Sequence, residues 1–326
     1  MLPILLVTFP FFALVLCGYL AARRRMLPLE AIPGLNGFVL FFALPCMLYR
    51  FGAGTPLAQL LDLELFLTYL FCALVVVFFV VATSMNARIG WNDAAFGALV
   101  AAFPNTGFMG VPLLVALLGQ AAAGPAIVTI IVDLVITTSL CIALSRLDPH
   151  EGETGAHSAG VAARNALRGV ATNPMPWAIA LGAVSSALQW ELPAPLLKTV
   201  GLLADAASPV ALFTIGAVLA RSQMLVAAGN QDHVVPMVDY VPVALFKLIV
   251  HPVLVLLVGG AAVRLGLRIE PFALTVMVLV AALPSASNVS LLAERFGADT
   301  GRIARIILVS TALAFLTFSG AVALMR

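Results

Sequence analysis

The chain of 326 residues is 62% apolar and only 10% charged, against about 25% charged residues in soluble domains, and its mean hydropathy is +1.11. That composition excludes a water-soluble enzyme and points to an all-α integral membrane protein. With 17 basic and 15 acidic residues the chain also lacks the basic footprint of a nucleic-acid partner.

A helix crossing the hydrocarbon needs about 20 mainly apolar residues. In chain order ten segments qualify: 2–22, 31–52, 63–86, 94–118, 125–145, 173–190, 200–220, 241–263, 271–293 and 303–325. None alternates with the period of a strand. The first is followed, not preceded, by Arg23, Arg24 and Arg25, the flank of a retained span whose N-terminus lies outside. In that orientation the inner loops carry eleven arginines, among them Arg88, Arg146, Arg164, Arg168, Arg295 and Arg302, against five basic residues outside. Both termini are then outside a plasma (inner) membrane. The polar stretch 146–172 divides the spans five and five, so 1–145 and 173–326 form two halves joined by a cytoplasmic linker. Cys17, Cys46, Cys72 and Cys141 all lie in apolar runs without CxxC spacing and read as small core residues.

The halves resemble each other. Span four contains Ala101-Ala102-x-Pro104 and span nine Ala281-Ala282-x-Pro284; Ala43-x-Pro45 in span two is matched by Ala207-x-Pro209 in span seven. Five spans per half make the second copy enter from the opposite side. Inverted repeats with interrupted segments at matching places are the sequence pattern of secondary transporters.

Span four carries Pro104, Asn105, Thr106, Gly107, Gly110 and Pro112 where an unbroken helix should be apolar, and two prolines and two glycines within nine residues argue against a continuous helix. Span nine is expected to break more gently at Pro284, with Ser285, Ser287, Asn288 and Ser290 beyond it. Two half-helix N-termini aimed at one place offer free N–H donors and partial positive charge, and Asn105 and Asn288 add amides. The natural ligand of such a place is a small anion. Ionisable residues inside spans are functional candidates by default. Asp133 and Asp205 can bind H⁺ or Na⁺, Lys247 can pair with either or with substrate, and His251 shares a helix face with Lys247. The alternative for these four is a buried network that only supports the helices.

These residues also carry a family likeness. FPNTGFMGVPLL at 103–114 resembles the fourth-span crossover of the auxin efflux carrier family, AALP at 281–284 its second crossover, and LADAASPVALFTIG at 203–216 its seventh span. The resemblance implies ten spans in two inverted five-helix repeats, with a scaffold and a transport domain. It implies carriage of organic anions such as malonate or auxin-like acids by an elevator-type movement, with no bound cofactor, and a homodimer. It places Asn105 on the crossover Asn, Pro284 on the second crossover proline and Asp133 where plant members carry Gln. The competing classes are an anion receptor without flux and an intramembrane enzyme. The second lacks a nucleophile–base pair, and no Walker-type sequence supports an ATP-driven pump.

Overall fold

The computed structural model of the chain describes residues 2–147, 164, 171–227 and 235–325. Arg168 and most of the 146–172 linker lie outside these residues. Within them the chain is helical; the only strand-like pairings are two isolated bridges, Asn86 with Ile89 and Pro104 with Ser285.

The helices are α1 (Leu2–Arg23), α2 (Leu29–Ala53), α3 (Leu63–Ser84), α4 (Trp91–Ala102), α5 (Thr106–Leu118), α6 (Gln120–Leu144), α7 (Pro174–Leu188), α8 (Ala194–Ala227), α9 (Met237–Arg264), α10 (Pro271–Ala281), α11 (Val289–Phe296) and α12 (Thr300–Met325). Among the described residues seven helices are long and apolar enough to cross a membrane. The expected fourth and ninth spans are each divided, into α4 and α5 and into α10 and α11. The expected sixth span is the 15-residue α7, about 22 Å long at 1.5 Å per residue. Local chemistry sets several of these ends. The Asp62 carboxylate accepts from the Leu65 N–H at 2.9 Å to start α3. Asn173 accepts from Met175 N–H at 3.0 Å and Pro174 follows it to start α7, where a proline's missing donor costs nothing.

Four helices contain a wide π turn: Val39–Ala43, Thr106–Gly110, Val132–Thr137 and Phe246–Val250. Three of them lie just ahead of Pro45, Pro112 and Pro252. Proline clashes with the carbonyl one turn back, and a local π adjustment relieves this without unwinding the helix. The fourth span is discontinuous, as its prolines and glycines imply, but Gly107, Gly110 and Pro112 lie within helix. The unwound stretch of the fourth span is only 103–105, whereas that of the ninth, 282–288, is the longer of the two.

The helices pack as two groups. In the first, α1 lies along α8 and α7 along α2, with α2 also against α8. In the second, α3 packs on α4 and α9, α4 on α6, and α9 on α10 and α12. Backbone meets backbone inside the first group. A Cβ on Gly216 would fall 1.8 Å from the Val15 carbonyl oxygen, and one on Gly18 1.8 Å from that of Phe213. Across α2 and α7, a Cβ on Gly182 would fall 2.6 Å from the Tyr49 oxygen and one on Gly52 3.2 Å from that of Ile179. Small residues permit this approach, and close packing holds helices together where lipid supplies no hydrophobic drive. Gly216→Leu is expected to cost more than the ~1–3 kcal/mol of ordinary overpacking, since backbone must retreat. The check is size-exclusion in detergent: the variant should lose its monodisperse peak, while Gly34→Ala, at a position with open space around it, keeps it.

Candidate functional site

The two breaks meet. The Asn105 N–H donates to the Pro284 carbonyl at 2.8 Å and the Ala286 N–H to the Phe103 carbonyl at 2.9 Å, so each unwound stretch satisfies backbone groups that the other leaves orphaned. The Ser285 N–H donates to Ser310 Oγ of α12 at 3.2 Å. α4 and α10 end at this crossing, and α5 and α11 begin there.

Pro104, Asn105, Gly107, Phe108 and Asn288 line one small cavity of about 20 Å³, closed by Leu44, Leu48, Ile130 and Met175 among others. This is room for about one water. Both half-helix N-termini thus face the same space. Asn105 is buried, and its side-chain amide has no hydrogen-bond partner among the described residues. Through Phe103, Leu134, Met175 and Asn288 the small cavity adjoins one of about 810 Å³, lined also by Thr138, Ser139, Arg146, Thr172, Asn173 and Arg295. This larger cavity lies where α6 ends, α7 begins and α11 ends. Arg146 and Arg295 stand over the Phe296 ring at 5.2 and 6.0 Å, and all three line the cavity. Two guanidiniums at one rim attract anions into a low-dielectric cleft.

Behind the crossing lies a second cluster. Asp133 is fully buried in the π turn of α6. Its carboxylate accepts from the Tyr69 hydroxyl at 3.0 Å and from Thr137 Oγ1 at 3.3 Å. Lys247, equally buried, donates from Nζ to the Ala281 carbonyl at 2.7 Å and lies 3.1 Å from His251 Nδ1. Ala281 is the last residue of α10, so the ammonium sits on the negative end of that half-helix. Lys247 and Asp133 belong to one cluster through His251 and Tyr69, whose rings lie 6.2 Å apart, without an ion pair closer than 4 Å between them. His251 Nε2 has no hydrogen-bond partner among the described residues.

The remaining sequence candidates separate. Thr106 is buried beside Pro104, with Oγ1 3.5 Å from that proline's carbonyl. Ser285 Oγ is buried without a partner among the described residues. Ser287 faces the other way, into a cavity of about 20 Å³ shared with Asn36 of α2 and Thr214 of α8. Asp205 does not join the interior. It pairs with Arg50 at 2.6 Å on the outside of the first helix group, the two side chains being 69% and 40% exposed. In this part of α8 the buried face belongs to Ala204, Ala207 and Ala211, and Asp205 falls with Leu202 and Pro209 on the exposed side. Sequence reasoning missed Tyr69, whose signal was a lone phenol in an apolar span. It counted Arg302 as a loop cation, but Arg302 is 2% exposed, donating to the Asp93 and Asp239 carbonyls at 2.7 and 2.8 Å.

The sequence matches the profile of a family described as membrane transport protein over residues 3–322. It is 30% identical over 318 residues to a "Putative malonate transporter" of Rhizobium meliloti (strain 1021), covering 97% of this chain and 94% of that one. It is 27% identical over 294 residues to the "Uncharacterized transporter YfdV" of Escherichia coli (strain K12), covering 89% and 88%. It is 24% identical over 325 residues to "Auxin efflux carrier component 8" of Arabidopsis thaliana, covering 85% of each.

Proposed function

The chain belongs to the membrane transport protein family, which takes in the auxin efflux carriers, and from there we propose that it carries a small organic anion, with malonate the first candidate, through the crossing of its broken helices. The observation that carries this reading is the shared cavity. Two half-helix N-termini and the amides of Asn105 and Asn288 face it, and it continues into a cleft rimmed by Arg146 and Arg295. A carboxylate entering past the arginines would meet N–H donors at the end of its path.

In this reading the divided helices count as single spans and α7 as a short one. Ten spans then form two inverted five-helix repeats, with both termini outside a plasma membrane and the cleft open to the inside. The first helix group acts as scaffold, also the natural face for a homodimer. The second group slides against it as an elevator, taking the crossing and its cargo along. Lys247 already sets a positive charge on the half-helix end where such transporters coordinate Na⁺. Coupling is therefore assigned to H⁺, with Asp133 as carrier.

Proteoliposomes and labelled malonate test the proposal. Saturable uptake and counterflow are expected; tight binding without counterflow would identify a receptor instead. Removing the rim charges in Arg146→Gln and Arg295→Gln should raise KM about fivefold each, from roughly 1 kcal/mol per exposed charge pair. The effect should shrink at high ionic strength. An unchanged KM in the double variant would remove the arginines from the path.

A further inference from the structure

The internal repeat keeps a strict register that the packing also obeys. Thr8-x-Pro10 and Thr172-x-Pro174, Gly18 and Gly182, Ala43-x-Pro45 and Ala207-x-Pro209, and Gly52 and Gly216 are all related by a shift of 164 residues. Ala101-Ala102-x-Pro104 and Ala281-Ala282-x-Pro284, and Thr137-x-Ser139 and Thr317-x-Ser319, are related by 180. The glycines make the same contact twice: Gly18 of α1 packs at Gly216 of α8, and Gly182 of α7 at Gly52 of α2. Each position in the cleft wall thus has a mate in the other half.

Two hydroxyl-bearing mates differ in exposure. Thr172 and Ser139 both line the 810 Å³ cleft, the first exposed and the second half-buried. Their mates Thr8 and Ser319 are 0% and 1% exposed, with their hydroxyl oxygens 3.4 Å apart. α12 begins beside the cleft mouth, next to Phe296, and Ser319 lies 19 residues after its first residue, about 28 Å along a helix. The Thr8–Ser319 contact therefore sits towards the opposite face. It also joins α1 of the first helix group to α12 of the second, across the boundary that a relative movement would open.

We propose that this contact is the closed gate of a second access cavity. The cavity lies between α1 and α12 on the opposite face and admits the same anion when the two halves exchange conformations. It is the repeat image of the cleft: one wall from the scaffold group at Thr8, the other from the mobile group at Ser319. The hydroxyl pair seals it by hydrogen bonding now and becomes part of a polar lining when parted. The proposal rests on the transport reading for its cargo, but its test does not.

The test is thiol accessibility in sealed cells and in inside-out vesicles, with Cys17 and Cys46 replaced by Ala and a membrane-impermeant maleimide as probe. Ser139→Cys should be labelled from one face only and Ser319→Cys from the other only. Minor states of such equilibria hold about 0.1–10% of the population, so Ser319→Cys should react at a tenth or less of the Ser139→Cys rate. Adding Thr8→Val, which removes one partner of the seal, should raise the Ser319→Cys rate severalfold. Labelling of both positions from the same face overturns the gate. So does silence at Ser319→Cys, with or without Thr8→Val, in a protein whose Ser139→Cys reacts. Opposite-face labelling in a protein that moves no malonate keeps the gate and removes the cargo assignment.

Discussion

Asn105→Ala is expected to reduce malonate uptake by about 10- to 100-fold while shifting the melting temperature by no more than about 2 °C. The two effects separate because different atoms of Asn105 do different work. Its backbone N–H holds the crossing by donating to the Pro284 carbonyl, and alanine retains that group. Its side-chain amide faces the small cavity and bonds to nothing else among the described residues. One hydrogen bond to a charged ligand is worth about 1.5–3 kcal/mol, hence the loss in uptake. Removing a buried polar group that has no protein partner, beside a cavity already the size of a water, leaves no new orphan behind, so the change in stability is small. Full uptake by this variant would refute the site.

Lys247→Met is expected to fail differently, through the fold as well as the flux. The ammonium is fully buried and donates to the last carbonyl of α10 at 2.7 Å. Methionine fills similar space, yet it leaves that carbonyl unpaired and Asp133 without its nearby cation. Breaking such a buried arrangement costs about 3–5 kcal/mol, or roughly 10 °C in a thermal melt. Adding Asp133→Asn removes the stranded charge, so the double variant should recover part of the loss in stability but none of the transport. A double variant no more stable than Lys247→Met alone would show that the two residues act independently.

The breaks were legible because proline's missing donor is a covalent property of the chain, independent of neighbours. Pro104 and Pro284 mark them, and the matching Ala-Ala-x-Pro sequences link the two. The length of each break was not legible. The π turn at Thr106–Gly110 absorbs Pro112 and keeps α5 helical, whereas 282–288 unwinds further than its single proline demands. Which way a side chain points was also hidden. Asp205 and Asp133 look alike in the sequence, as acids inside apolar runs. The first turns outward because Ala204, Ala207 and Ala211 hold the inner face of that part of α8, and the second turns inward to Tyr69. Within 282–288 the same limit applies to Ser287 and Asn288, adjacent residues that face different cavities. Arg146 and Arg295 were visible only as a topology signal, because their convergence needs the ends of α6 and α11 to be neighbours.

The bonds that join the two unwound stretches run from main chain to main chain, Asn105 to Pro284 and Ala286 to Phe103. No exchange of side chains can remove them, short of a proline in place of a donor. The frame of the proposed binding place is in that sense insulated from the chemistry hung upon it. Lineages descended from one ancestor can trade amides, hydroxyls and acids around the junction, and so change what is recognised, without renegotiating how the junction is held.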